Sequence, residues 1–386
     1  MNFKLSSRRS VSAALFAFFA IPAILAIGRP VRGQEPPSRR LVQQEQDDSA
    51  RIKKSGTVVL EVAVSDKEGH AMNSLTKNDF TVYEDGSKQT ITKFSATEAP
   101  FTVLLLLDLS GSTSSEIELM KSAAKGFLGQ VRGDDLVGVA TFSNGGEIAA
   151  DFDDERGEIK RKIDHIAPPA GYEDAHNTVD TGTSFYDALN FAVDASPLSQ
   201  VEGRKAVVCI TDGVDSTSTL RYADIAGDLE RSGTSLYFVQ LNTEKQNLSQ
   251  ILKDPSDPDY ANFSRSQLER YFDRFEPDPY APDRQLSPRE LPPDLRTKIN
   301  AGLYEIARQQ LSEMAQHTGG RVYPVNGAAD LSAIFKQVAS DLRSRYSIEY
   351  QSTNQARDGK WRTVRIDVAA PGAVVHSRPG YRAPAK

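Results

Sequence analysis

Two apolar runs in this chain can be strands only if both of their faces are covered. "FTVLLLLD", residues 101–108, and "RKAVVCITD", residues 204–212, lack the apolar–polar alternation of a half-exposed strand. Strands of that kind sit inside a parallel sheet with helices packed on either side. The sequence around them supplies the helices. Ile117, Met120, Ala124, Phe127 and Val131 recur at helical spacing, and "ERGEIKRKIDHI" is a helix stopped by Pro168-Pro169. Further helices are expected at "TSFYDALNFAVDAS", "LRYADIAGDLERSG", "LYEIARQQLSEMAQHTGG" and "ADLSAIFKQVASDLRSR", between strands at "DLVGVATFS", "EIAADF", "TSLYFVQLN" and "RVYPV". The expected fold class is α/β, with a doubly wound, mostly parallel, Rossmann-like sheet.

The flanks of this unit follow a different rhythm. Residues 55–98 alternate apolar and polar positions, with a hairpin signal at Asp85-Gly86. Residues 345–383 hold three more strand-like runs. Neither segment has enough strands to bury a face alone, so the two are expected to pair into one β-sandwich, with the α/β unit, residues 101–343, inserted between them. Residues 243–300 interrupt that unit with a stretch rich in Pro, Asp and aromatic residues, in which "SRSQLERYFDRF" reads as one amphipathic helix. An insertion of this length is expected to act as a binding element, with Tyr260, Phe263, Tyr271, Phe272 and Tyr280 as partner contacts.

The N-terminus carries Lys4, Arg8 and Arg9 ahead of an apolar run over residues 11–27. Residues 1–33 therefore read as a secretory signal and residues 34–54 as a flexible linker, which places the mature chain outside the cytoplasm, periplasmic or secreted. The alternative is an uncleaved membrane anchor, for which the run is slightly short and contains Pro22. After cleavage no membrane insertion is expected. The net charge is −6, and the first 33 residues hold five basic and no acidic side chains. The mature chain is thus more acidic still, which argues against nucleic acid as a partner. The single cysteine, Cys209, rules out an internal disulfide and reads as apolar filler in its strand.

The chemistry gathers where the buried strands end. Asp108, Ser110 and Ser112 lie two residues apart just past the first run; Thr183 follows a glycine at the start of a helix; Asp212 closes the second run before Gly213. In a parallel sheet the carboxyl ends of the strands share one edge, where ligands bind. Hard hydroxyl and carboxylate oxygens there suit Mg²⁺ or Mn²⁺. Other chemistry fails on single residues. An aspartyl-phosphatase strand would need an acid at Ser110. An EF-hand loop from Asp151 has its glycine one place late, at Gly157, and Lys162 at its twelfth position.

Asp108-x-Ser110-x-Ser112, a later Gly-Thr and then Thr-Asp-Gly resemble the metal-ion-dependent adhesion site of the von Willebrand factor type A domain at all five key positions. The order of strands and helices over residues 101–343 is similar to that family too. The resemblance implies direct metal binding by Ser110 and Ser112, direct or water-bridged binding by Thr183, and water-bridged support from Asp108 and Asp212. It also implies a non-enzymatic role in adhesion: a protein, or an envelope or matrix ligand, completes the metal shell with an Asp or Glu carboxylate. The chain as a whole resembles exported bacterial proteins carrying this domain. A scaffold with a purely structural metal is the alternative, and a metal-dependent hydrolase a remoter one.

Overall fold

The computed structural model describes residues 51–52, 56–167, 182–254, 256–257, 260–276, 291–325 and 328–385. The expected signal, most of the expected linker and Tyr280 lie outside the described residues. The chain opens with strands β1 (Arg51–Ile52), β2 (Thr57–Ser65), β3 (Phe80–Glu84), β4 (Ser87–Gln89) and β5 (Ile91–Glu98). It closes with β12 (Ser344–Gln351), β13 (Trp361–Val368), β14 (Val374–His376) and β15 (Gly380–Arg382). These strands form two antiparallel sheets, and each draws on both ends of the chain. One has the order β1-β2-β12-β5 with β14 also on β2; the other runs β15-β13-β3-β4. Val58, Leu60, Val62, Tyr346, Ile348 and Tyr350 from the first sheet share a core with Phe80, Val82, Val364 and Ile366 from the second. The flanking segments therefore make a β-sandwich, and Asp85 (φ 47°) and Gly86 (φ 80°) form the hairpin turn between β3 and β4.

Between β5 and β12 runs the α/β unit. Its strands are β6 (Phe101–Asp108), β7 (Leu136–Phe142), β8 (Gly146–Ala150), β9 (Arg204–Thr211), β10 (Ser235–Gln240) and β11 (Arg321–Pro324). They form one sheet of order β11-β10-β9-β6-β7-β8, parallel except for β8. Its helices are α1 (Ile117–Leu128), α2 (Arg156–Asp164), α3 (Phe185–Asn190), α4 (Tyr222–Arg231), α5 (Glu244–Ile251), α6 (Arg265–Phe275), α7 (Pro293–Thr318) and α8 (Ala328–Arg343). The period of two along β6 divides its side chains. Val103, Leu105 and Leu107 pack with residues of α1, α2 and α8, while Leu104 and Leu106 pack with α3, α4 and α7. Both faces are thus covered, as the unbroken apolar runs require. Cys209 is fully buried on the second face.

Three expected boundaries move. The linker ends earlier, because β1 already pairs with β2 at Arg51 and Ile52. The insertion is helical for most of its described length: α5 begins at Glu244, and α7 starts at Pro293 and runs without a break through residue 300 to Thr318. Proline fits the first turn of a helix, where its missing N–H has no intrahelical partner in any case, so this helix can start where a loop was expected. The last strand segment begins one residue sooner, at Ser344, directly on the end of α8. No helix among the described residues is long and apolar enough to cross a membrane.

Candidate metal centre

β6 and β9 are neighbours in the sheet, with Leu107 opposite Ile210, so Asp108 and Asp212 emerge side by side at the carboxyl edge. Both are completely buried. The Asp108 carboxylate accepts the Ser110 amide at 3.0 Å and the Thr211 hydroxyl at 2.6 Å. The Asp212 carboxylate accepts the Val214 amide at 2.9 Å and the Thr243 hydroxyl at 2.6 Å, and it is also reached by the hydroxyls of Ser112 and Tyr304. Ser110 Oγ lies 3.4 Å from Ser112 Oγ. Thr113 ties the loop down by donating to the Asp108 carbonyl at 2.7 Å. Gly213 is required between Asp212 and Val214: its φ is +79°, and a Cβ there would stand 2.8 Å from Leu311 of α7.

Hydroxyls and amides, not cationic side chains, make all of these contacts. Two like charges in a desolvated pocket disfavour their own ionisation. Burial, and then the neighbouring Asp212, push the Asp108 carboxyl up to about 7, and burial raises Asp212 as well. Among the described residues no three His, Cys, Asp or Glu side chains form a metal-binding group. The donor set is instead two carboxylates with hydroxyls between them. That set fits a hard divalent cation, whose charge would offset the repulsion that the protein itself leaves uncompensated.

Of the five expected ligands, Asp108, Ser110, Ser112 and Asp212 are thus joined in one hydrogen-bonded cluster. Thr183 is buried (5 % exposed) and linked to it one step removed. Its amide donates to Ser216 Oγ at 2.8 Å, and its carbonyl accepts the amides of Ser216 and Thr217 at 2.8 and 3.1 Å, in the loop that follows Asp212. Thr211, Thr243, Tyr304 and Asp215 were not assigned roles from sequence. Thr211 stands in the Thr-Asp-Gly stretch and could have been read as a partner of Asp108. Tyr304 lies 92 positions beyond Asp212, on α7, and no local pattern points to it.

Two of the expected partner contacts, Phe263 and Tyr271, are corrected. Phe263 and Tyr271 are 4 % and 5 % exposed and form a small core with Ile251, Leu268, Ile299 and Tyr304. Phe272 packs against that core, edge-on to Tyr271 at 5.3 Å, and Tyr260 lies under the Arg296 guanidinium at 5.8 Å. The insertion uses these rings to fold itself, because the short helices α5 and α6 need a core against the start of α7. Buried Phe263 and Tyr271 are therefore not surfaces that a partner meets.

Residues 102–274 match the model of the von Willebrand factor type A domain. No curated protein matches the chain. Among solved structures, the chain is similar to proximal thread matrix protein 1 of the mussel byssus with a zinc-occupied MIDAS motif (16% identity, TM-score 0.38, 64% of this chain and 48% of that one). It is also similar to an aerotolerance-related membrane protein of Bacteroides fragilis (16% identity, TM-score 0.38, 62% and 98%). A third is a von Willebrand factor type A protein of Catenulispora acidiphila (12% identity, TM-score 0.37, 81% and 76%). The chain spans about half the length of the mussel protein.

Proposed function

We propose that the von Willebrand factor type A domain of this chain binds Mg²⁺ or Mn²⁺ at Asp108, Ser110, Ser112, Thr183 and Asp212, and through it a partner protein or an envelope or matrix ligand. The observation that carries this is the pair of fully buried carboxylates at adjacent strand ends, faced by hydroxyls and, among the described residues, without a cationic partner. Asp108 and Asp212 orient the loop hydroxyls and keep the pocket negative; Thr211 and Thr243 fix the direction of each carboxylate. A hard cation held chiefly by neutral hydroxyls stays electrophilic, and an Asp or Glu of the partner would complete its shell. We read the role of the site as binding and not catalysis, with the hydroxyls acting as metal donors. The apolar run at residues 11–27 supports an extracytoplasmic setting.

Calorimetric titration of Mg²⁺ and Mn²⁺ into the chain tests the first half of this. One-to-one binding is expected, abolished in Asp108→Ala and in Asp212→Ala. Wild-type protein that takes up neither ion at millimolar concentration would overturn both this reading and the structural-metal scaffold.

A further inference from the structure

With Phe263 and Tyr271 turned inward, the insertion offers the metal edge something else. α6 grips the loop that follows Asp212. Arg270 Nη1 donates to Asp215 Oδ2 at 2.6 Å, and its Nη2 donates to the Asp215 carbonyl, also at 2.6 Å. The guanidinium lies over the Tyr186 ring at 5.7 Å. Four residues earlier, Ser266 Oγ donates to the Ser216 carbonyl at 2.6 Å. The Asp215 side chain is fully buried against an Arg270 side chain that is 22% exposed.

The gripped loop is the one that holds Thr183. Asp215 Oδ1 accepts the Phe185 amide at 2.9 Å, at the first residue of α3. Ser216 satisfies both the amide and the carbonyl of Thr183, and Ser218 Oγ, itself bonded to Asp215, accepts the Tyr186 amide at 3.0 Å. These bonds on residues 183–186 come from residues 215–218, beside one from the Ser184 amide to the Ser143 carbonyl at 2.6 Å, and Arg270 holds that loop at both the side chain and the backbone of Asp215. A two-pronged guanidinium contact fixes direction as well as distance.

We propose that α6 is a brace for the metal centre and that Arg270 is a positioning residue, setting Thr183 through Asp215 and Ser216. This rests on the metal-binding reading above and gives the insertion its part in it. The five ligands come from three separate loops, and affinity at such a site depends on how well the loops are held before the ion arrives.

The test uses the full chain and two readouts. Hydrogen exchange is followed at the amides of Thr183, Phe185 and Tyr186, and Mn²⁺ affinity is measured by calorimetry. Arg270→Gln should speed exchange at those three amides by about tenfold or more and weaken Mn²⁺ by about tenfold, the lower end of what supporting residues of metal ligands contribute. Exchange in β6 and β12 should not change. Arg270→Lys should recover only part of the loss, because one ammonium cannot replace both prongs. Should Arg270→Gln fail to fold, Ser266→Ala, which removes the bond to the Ser216 carbonyl together with a contact to the Ser264 hydroxyl at 3.0 Å, should shift the same amides in the same direction. Unchanged exchange at Thr183, or an equal rise throughout the chain, overturns the brace. A wild type that binds no ion overturns the metal reading alone, and the exchange data still decide the brace.

Discussion

At the scale of single residues, the candidate metal centre brings together two carboxylates that repel one another, held by amides and hydroxyls. Asp108 is the clearest case: completely buried, beside Asp212, and, among the described residues, bonded only to neutral donors. Replacing it with Asn removes one of two like charges and keeps the shape. Without metal, Asp108→Asn should therefore be more stable than wild type, by roughly 1–2 kcal/mol once the weakened Thr211 bond is set against the relief of charge. Added Mg²⁺ should raise the melting temperature of wild type and leave that of the variant unmoved. Thermal melts in EDTA and in magnesium read both effects, and a variant less stable than wild type in EDTA would contradict the account. The cluster of Asp108, Ser110, Ser112 and Asp212 was legible in the sequence because each lies in a short local pattern at a strand end. Thr243 and Tyr304 were not, since what joins them to Asp212 is the packing of α7 across the sheet edge.

Among the elements, those of the sheet and its helices were legible from periodicity, and the insertion was not. "FTVLLLLD" admits only a covered strand, whereas α5 is short and only weakly two-sided, and α7 joins an expected loop to an expected helix without a break. The far end of α7 shows how tightly such an element is set against the sheet. Gly319 closes the helix in the left-handed region at φ +74°, and the amide of Gly320 returns to the Ala315 carbonyl at 2.8 Å. A Cβ on Gly320 would overlap the backbone carbonyl of Leu236 in β10. A backbone atom cannot swing aside as a side chain does, so Gly320→Ala must separate α7 and β11 from β10. We expect a loss of about 3 kcal/mol or more in urea unfolding, at the upper end of overpacking costs. A loss below about 1 kcal/mol would mean that the turn yields easily.

In the whole molecule, the α/β unit leaves and re-enters the sandwich at adjacent points, since Ser344 of β12 pairs with Glu98 of β5. The two layers are further locked by buried charges that sequence patterns do not announce. Arg204 pairs with Glu61 at 3.1 Å, and Arg345 donates to Tyr237 at 2.9 Å. Arg321 of β11 reaches Ser65 of β2 at 2.7 Å and also contacts Asp341 of α8 and His376 of β14. His376 is thus part of the junction. Burial, followed by the Arg321 and Arg345 charges, lowers it from 6.5 to about 4. The folded protein keeps the ring neutral where the unfolded chain already protonates it. Stability from this group is therefore complete above pH 6.5 and falls as the pH drops toward 4. At about 1.4 kcal/mol per unit, and allowing for the ring's partial exposure, the loss is on the order of 2 kcal/mol. The carboxylates of the metal centre titrate nearby with the opposite sign, so the comparison belongs on the Asp108→Asn background. There, the difference in unfolding free energy between pH 7.5 and 4.5 should shrink by about that amount when His376→Gln is added. An unchanged difference would take His376 out of the acid response and leave it to the other groups at the junction.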